Sequence, residues 1–155
     1  MPATYEAIAT QNVSGVSSVS FTSIPATYTD LKIVFVGYDD APLIKMNFNG
    51  TSTGNVTLYM SNSSVGTSAG YGTPYIYVLT PNANAYFMFT VNVMNYTSTN
   101  TWKPWVSHCG ISHGAGGISV GGGNWQSTAA INRVDFSTTS LTMSGTFTIY
   151  GIKAA

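Results

Sequence analysis

Residues 108–125 read HCGISHGAGGISVGGGNW and gather both histidines, the single cysteine and two copies of G-x-S-x-G, at 110–114 and 117–121. A serine in that motif becomes a nucleophile when a tight strand-to-helix turn lifts it above a parallel sheet, beside an oxyanion hole at a helix start. Ser112 is followed by HGAGG and Ser119 by VGGGNW, and neither continues as a helix. The expected structure is therefore a glycine-rich turn, and no catalytic residue is assigned. His108, Cys109 and His113 raise the question of a metal. Adjacent strand residues face opposite sides, however, and a closed zinc site needs four ligands in a recognisable spacing. A buried thiol beside hydrogen-bonded or exposed imidazoles is expected instead, with no metal site. The phosphate-cradling patterns G-x-x-x-x-G-K and G-x-G-x-x-G are absent, so no cofactor is expected.

The carboxylates are Glu6, Asp30, Asp39, Asp40 and Asp135. A glycosidase needs two of them converging on one cleft, and the one close pair, Asp39-Asp40, falls at a turn where charges are ordinarily solvated. With Asn47 or Asn49 that pair has the oxygen ligands calcium takes, against the plainer reading of a polar turn. Sequons at Asn12, Asn49, Asn55, Asn62 and Asn95 suggest a glycosylated secreted chain. The opening MPATYEAIAT, with neither a basic nor an apolar leader region, argues against it.

Charge is the outlying quantity of the composition. Only 6% of the 155 residues are charged, with five positive and five negative, against about 25% in an average domain. No electrostatic footprint for nucleic acid exists, and no run approaches the roughly 20 apolar residues of a membrane span. A near-zero net charge favours association, so a surface covered by copies of itself or by partners is expected; a monomer coated in hydroxyls and amides is the competing reading. One cysteine excludes an internal disulfide and fits folding in a cytoplasm. The length fits a single domain, residues 1–155.

The elements that must position these residues read as strands. Thr, Ser, Val, Tyr and Gly dominate, and no long stretch has helical apolar spacing. Val19 and Phe21 share one side of SVSFTSI; Ile44, Met46 and Phe48 share one side of LIKMNFNG, which Asn49-Gly50 ends with a strong turn pair. In AYFMFTVNVMNY, Phe87, Phe89, Val91 and Val93 alternate with Tyr86, Met88, Thr90 and Asn92. LKIVFVGY, residues 31–38, is apolar on both sides, which predicts a central strand or a strand with one face on another subunit. SNSSVGTSAGYGTP is expected to be a long exposed loop carrying Ser63, Ser64, Ser68 and Tyr71, with Tyr75 just beyond it. The whole predicts an all-β, jelly-roll-like antiparallel β-sandwich of about nine to eleven short strands.

Three Trp, ten Tyr and seven Phe exceed what such a core needs if some rings lie outside. Tyr and Trp suit interfaces because the ring is buried while its polar atom finds a partner. Trp102, Trp105 and Trp125 are the aromatic candidates for contacts beyond the core, and Val34 and Val36 on the two-faced strand are the aliphatic ones.

The segments YEAIAT, SVSFTSIPATYTDL, MNFNG, NYTSTNTWK, WQSTAAIN and YGIKAA resemble the small β-sandwich virion proteins of tailed bacteriophages, found as capsid decoration or cement proteins and as tail-fibre tips. The resemblance touches both termini and the centre, and no catalytic residue or cofactor comes with it. It implies a non-enzymatic structural protein of the virion, made in the host cytoplasm. Its partners would be copies of itself, with a trimer expected because symmetric closure hides sheet edges, and the major capsid protein or another virion protein. The alternative is a fibre tip whose Ser/Gly loop and nearby aromatics bind a host surface glycan.

Overall fold

Backbone pairing organises the chain more extensively than its apolar pattern predicts. The computed structural model describes residues 4–39, 43–51, 55–61, 64–72, 75–77, 86–112, 117–138 and 142–153, with side chains described for 4–38, 44–51, 86–112, 117–138 and 142–153. Among these residues twelve strands form: β1 (Tyr5–Val16), β2 (Ser18–Phe21), β3 (Asp30–Asp39), β4 (Leu43–Phe48), β5 (Asn55–Ser61), β6 (Ser64–Gly72), β7 (Tyr75–Tyr77), β8 (Tyr86–Val93), β9 (Lys103–Ile111), β10 (Gly117–Trp125), β11 (Val134–Thr138) and β12 (Met143–Ile152).

They build two antiparallel sheets, ordered β1-β12-β3-β8-β9-β10-β5-β6 and β2-β11-β4-β7. The protein is an all-β sandwich in which most connections cross from one sheet to the other, as in a jelly roll. The hairpin β5–β6 and the meander β8–β9–β10 stay within the large sheet. Ser17 alone separates β1 in one sheet from β2 in the other, a corner of the kind sandwiches use to change layers.

Two segments expected to be loop or turn are strands. Ser64–Gly72 pairs along β5, and Gly117–Trp125 pairs with β9 on one side and β5 on the other. A ladder is made by N–H and C=O groups that every residue but proline carries. Serine and glycine therefore complete a strand when neighbouring strands offer partners, whatever their own preference. These two strands bring the described number to twelve.

The core forms where alternation is strict. Leu31, Ile33 and Phe35 of β3, Phe87, Phe89, Val91 and Val93 of β8, and Phe147 and Ile149 of β12 face inward from the large sheet. Val19 and Phe21 of β2, Ile44, Met46 and Phe48 of β4, and Val134 and Phe136 of β11 answer them from the small one. Aromatic contacts tie the layers: Phe136 lies 5.1 Å from Phe147 and 5.8 Å from Phe89, and Phe48 lies 5.7 Å from Trp125. Tilted ring pairs at such distances add about 0.5–1.5 kcal/mol each beyond the area they bury.

Phe35 reaches the middle of this cluster, 4.3 Å from Phe147, because Gly37 and Gly145 pair across β3 and β12 and leave room for its ring. A Cβ on Gly37 would lie 2.2 Å from the Ser144 carbonyl oxygen and 2.7 Å from Phe35 Cζ. The turn after β4 follows the sequence expectation, with Asn49 and Gly50 at φ 52° and 70°. Asn49 also anchors a distant loop: its amide donates to the Ala130 carbonyl at 2.8 Å, and its Oδ1 accepts from the backbone N–H groups of Asn132 and Arg133.

Candidate functional site

On the outer face of the large sheet, the strands present side chains where an ordinary sandwich places polar ones. β3 offers Lys32, Val34, Val36 and Tyr38; β8 offers Tyr86, Met88, Thr90 and Asn92; β9 offers Pro104, Val106, His108 and Gly110; β10 offers Ile118, Val120, Gly122 and Asn124. Cross-strand register aligns them in rows. Val36 stands opposite Met88, Met88 opposite Gly110, and Gly110 opposite Ile118. Tyr38 stands opposite Tyr86, their rings 5.9 Å apart at 72°.

This end of the face is apolar and open. Ile118 is 70% exposed, Tyr86 61%, and Val36 and Met88 50% each. Gly110 has no side chain in a row of large ones, so a groove of about 520 Å³ runs over it, lined by Val36, Tyr86, Met88, Ile111, Ser112 and Ile118 among others. None of those residues carries a formal charge. Toward the other end of β3 the face turns polar. Lys32, Val34, Tyr5 and Tyr150 line a smaller groove of about 420 Å³ there, with the Lys32 ammonium 5.5 Å from the Tyr5 ring.

The structure treats the sequence candidates differently. Val34 and Val36 lie on the outer face, as members of the two separate grooves. Trp102 is 50% exposed but sits just before β9, at the end of that strand remote from Gly110. Trp105 and Trp125 are corrections, because at 1% and 2% exposure they belong to the core and offer nothing to a partner. The strand parity of β9 puts Trp105 on the side of Ser107 and Cys109, and Trp125 packs on Phe48. Lys103 is buried beside them, its Nζ donating to the Thr101 and Ser127 carbonyls and lying 5.6 Å from the Trp125 ring; burial lowers its pKa.

Ser64, Ser68, Tyr71 and Tyr75 stand on β6 and β7, so the expected exposed loop is replaced by paired backbone; Ser63 lies outside the described residues. Tyr38, Tyr86, Met88, Ile118 and Val120 are exposed residues that the sequence reading left unassigned. Their signal is an apolar residue at alternate positions on the side opposite a strand's core stripe, visible in YFMF and ISV.

The stretch with catalytic spacing is built into the same sheet. Cys109 points into the core and His108 to the outside, opposite sides of β9 as the strand period dictates. Burial pushes the Cys109 thiol up to about 11, and a hydrogen bond with Ser119 opposes that rise. Ser119 faces inward across from Cys109, while the Ser112 hydroxyl donates to the Tyr86 carbonyl at 2.9 Å. His113 and Asp40 lie outside the described residues. Among the described residues no group of three or more His, Cys, Asp or Glu gathers as a metal site.

A compact charged cluster joins β1 to Lys153, just after β12. Lys153 and the Tyr28 hydroxyl both donate to Glu6, at 2.8 and 2.9 Å, which lowers the Glu6 pKa and raises those of Tyr28 and Lys153. Among the described residues no helix is long and apolar enough to cross a membrane.

No family model matches this chain, and no curated protein matches it. A solved structure of an aerolysin-like protein from Bombina maxima aligns over 93% of this chain and 91% of that one, at 7% identity and a TM-score of 0.12. A likeness that slight carries no argument about fold or activity.

Proposed function

We propose that this chain is a structural protein of a virion, of the tailed-phage kind its segments resemble, and that it acts without catalysis as a capsid decoration or cement protein. The observation that carries the reading is the uncharged end of the large sheet's outer face, where Val36, Tyr38, Tyr86, Met88 and Ile118 stand open to solvent. Contiguous exposed apolar surface of this kind marks a surface that a macromolecule covers. With equal numbers of positive and negative residues, nothing in the net charge opposes close packing of many copies.

The mechanism is mechanical. Each copy contacts other copies and the major capsid protein or another virion protein, and many weak contacts add through multivalency. Virions stripped of this protein provide the test. Saturable, stoichiometric binding to the shell, with a raised temperature of shell disruption, is the expected result. Failure to bind any particle overturns the reading, and binding to host cells competed by surface sugar replaces it with a fibre-tip role.

A further inference from the structure

We infer that the apolar end of the outer face is a two-fold self-association site, in which a second copy of this chain seats its Met88 in the trough over Gly110 and its Ile118 against Val36. The inference rests on the reading above only in taking this face as covered; it adds what covers it and how.

The first argument is area. Ile118, Tyr86, Val36, Met88, Tyr38 and Val120 are each more than a third exposed and lie on β3, β8 and β10, with β9 between the last two. Together they leave roughly 600 Å² of apolar surface, at the upper end of what a monomer exposes and close to the about 800 Å² per partner of a stable interface. Gly110, Ser112, His108 and Thr90 lie between or beside them in register and bring the contact to that size.

The second argument is charge. A two-fold contact sets a patch against itself, so any charge in it meets its own kind. The apolar residues carry none, and the side chains beside them on this face that can carry a positive charge are His108, across from Val120 within the contact, and Lys32, two rows from Val36. A face built for a basic or acidic partner would need the opposite sign displayed here.

The third argument is shape. Ile118 is the most exposed large apolar residue among those described, and it stands directly across from Gly110, where an added Cβ meets no atom within 4 Å. Ridge and trough are therefore neighbours on one surface. A two-fold axis along the strands between β8 and β9 lays β3 of each copy over β10 of the other, so that Met88, which flanks Gly110 on β8, fills the other copy's trough and Ile118 meets the other copy's Val36, with the sheets about 10 Å apart as in a sandwich interior. Such a contact makes pairs, whereas the trimer expected from sequence closes through sheet edges.

Sedimentation equilibrium of the full chain, from about 1 μM to about 500 μM, tests this in the range where weak dimers dissociate. The mass should rise from 16.4 kDa toward twice that value. Gly110→Val fills the trough from its own side, and Ile118→Lys sets a charge against the apolar surface of the other copy; each should weaken the dimer at least tenfold with unchanged far-UV circular dichroism. If Gly110→Val does not fold, Ile118→Lys decides alone. A wild-type chain that stays monomeric throughout, or an oligomer indifferent to these substitutions, overturns the inference. A monomer that still saturates virions leaves the cement reading standing, and a dimer that binds no virion leaves only this inference.

Discussion

Strand β8 shows two regimes in eight residues. Phe87, Phe89, Val91 and Val93 point inward, where Phe89 meets Phe147 of its own sheet and Phe136 of the other, whereas Tyr86 and Met88, their immediate neighbours, point outward onto open solvent. Both sets are apolar over the first half of the strand, so hydrophobicity alone does not decide which is core. What differs is the partner: the inner side has a second sheet about 10 Å away, and the outer side has a groove. The interior is tuned to the volume of single atoms, while the exterior leaves a side-chain-sized gap unfilled.

The two glycines that border these regions make the contrast testable at its largest. Gly37 faces inward, and a methyl there lands 2.2 Å from the Ser144 carbonyl oxygen and 2.7 Å from the Gly145 Cα, both backbone atoms that cannot swing aside. Gly37→Ala should therefore cost on the order of 4 kcal/mol or more, the range of exceptional single mutations. Such a chain should yield little soluble protein, and any recovered should unfold at far lower urea. A variant with a wild-type urea midpoint would mean that β3 and β12 separate easily at this point, and that the core is less exacting than its exterior suggests.

Sequence reading succeeded where a strand has one apolar side and a marked end. Ile44, Met46 and Phe48 alternate with polar residues and stop at Asn49-Gly50, so both side and turn are fixed locally. It failed at β6 and β10, because their pairing is supplied by neighbours distant in sequence rather than by their own serines and glycines. Trp105 was misplaced for a related reason. Its side of β9 carries Ser107 and Cys109 and the other side carries Val106 and His108, so neither stripe declares itself. Of the candidate site only Val34 and Val36 were foreseen, from the two-faced strand that holds them. The groove needs Met88, Gly110 and Ile118 in one row, and that row exists only once three strands are in register.

The inner and outer sides of β9 differ in how they answer pH. Cys109 on the inner side has its thiol raised from an ordinary 9.0 to about 11 by burial. The native state therefore keeps a proton that the unfolded chain releases, so the stabilisation is complete below about pH 9 and is lost as the pH climbs toward about 11. The loss is on the order of 2–3 kcal/mol by linkage. Cys109→Ala lacks this term, so its stability deficit relative to wild type should shrink across that window in urea titrations. The lowered pKa of Lys103 acts with the opposite sign over alkaline pH, since burial there disfavours the charged form, but it is common to both proteins and cancels in the difference. A deficit that stays constant from pH 8 to pH 11 would show that the thiol is not held away from water.

The smallest effect is expected at Gly110, and its sign should be the reverse of that at Gly37. Its position on the outer face leaves an added Cβ with no atom within 4 Å, and it is not among the glycines at positive φ. Glycine in a strand interior carries more freedom into the unfolded state than alanine does, and it packs nothing in return. Gly110→Ala should thus stabilise the monomer by about 0.4–1 kcal/mol, through the unfolded chain rather than through a new contact. Urea denaturation well below the dimer dissociation constant isolates this term, since the same methyl begins to fill the trough and weakens pairing at higher concentration. A net gain when dilute that fades as concentration rises is the pattern that two regimes on one sheet require. Equal destabilisation at every concentration would mean that the outer face is packed as tightly as the core.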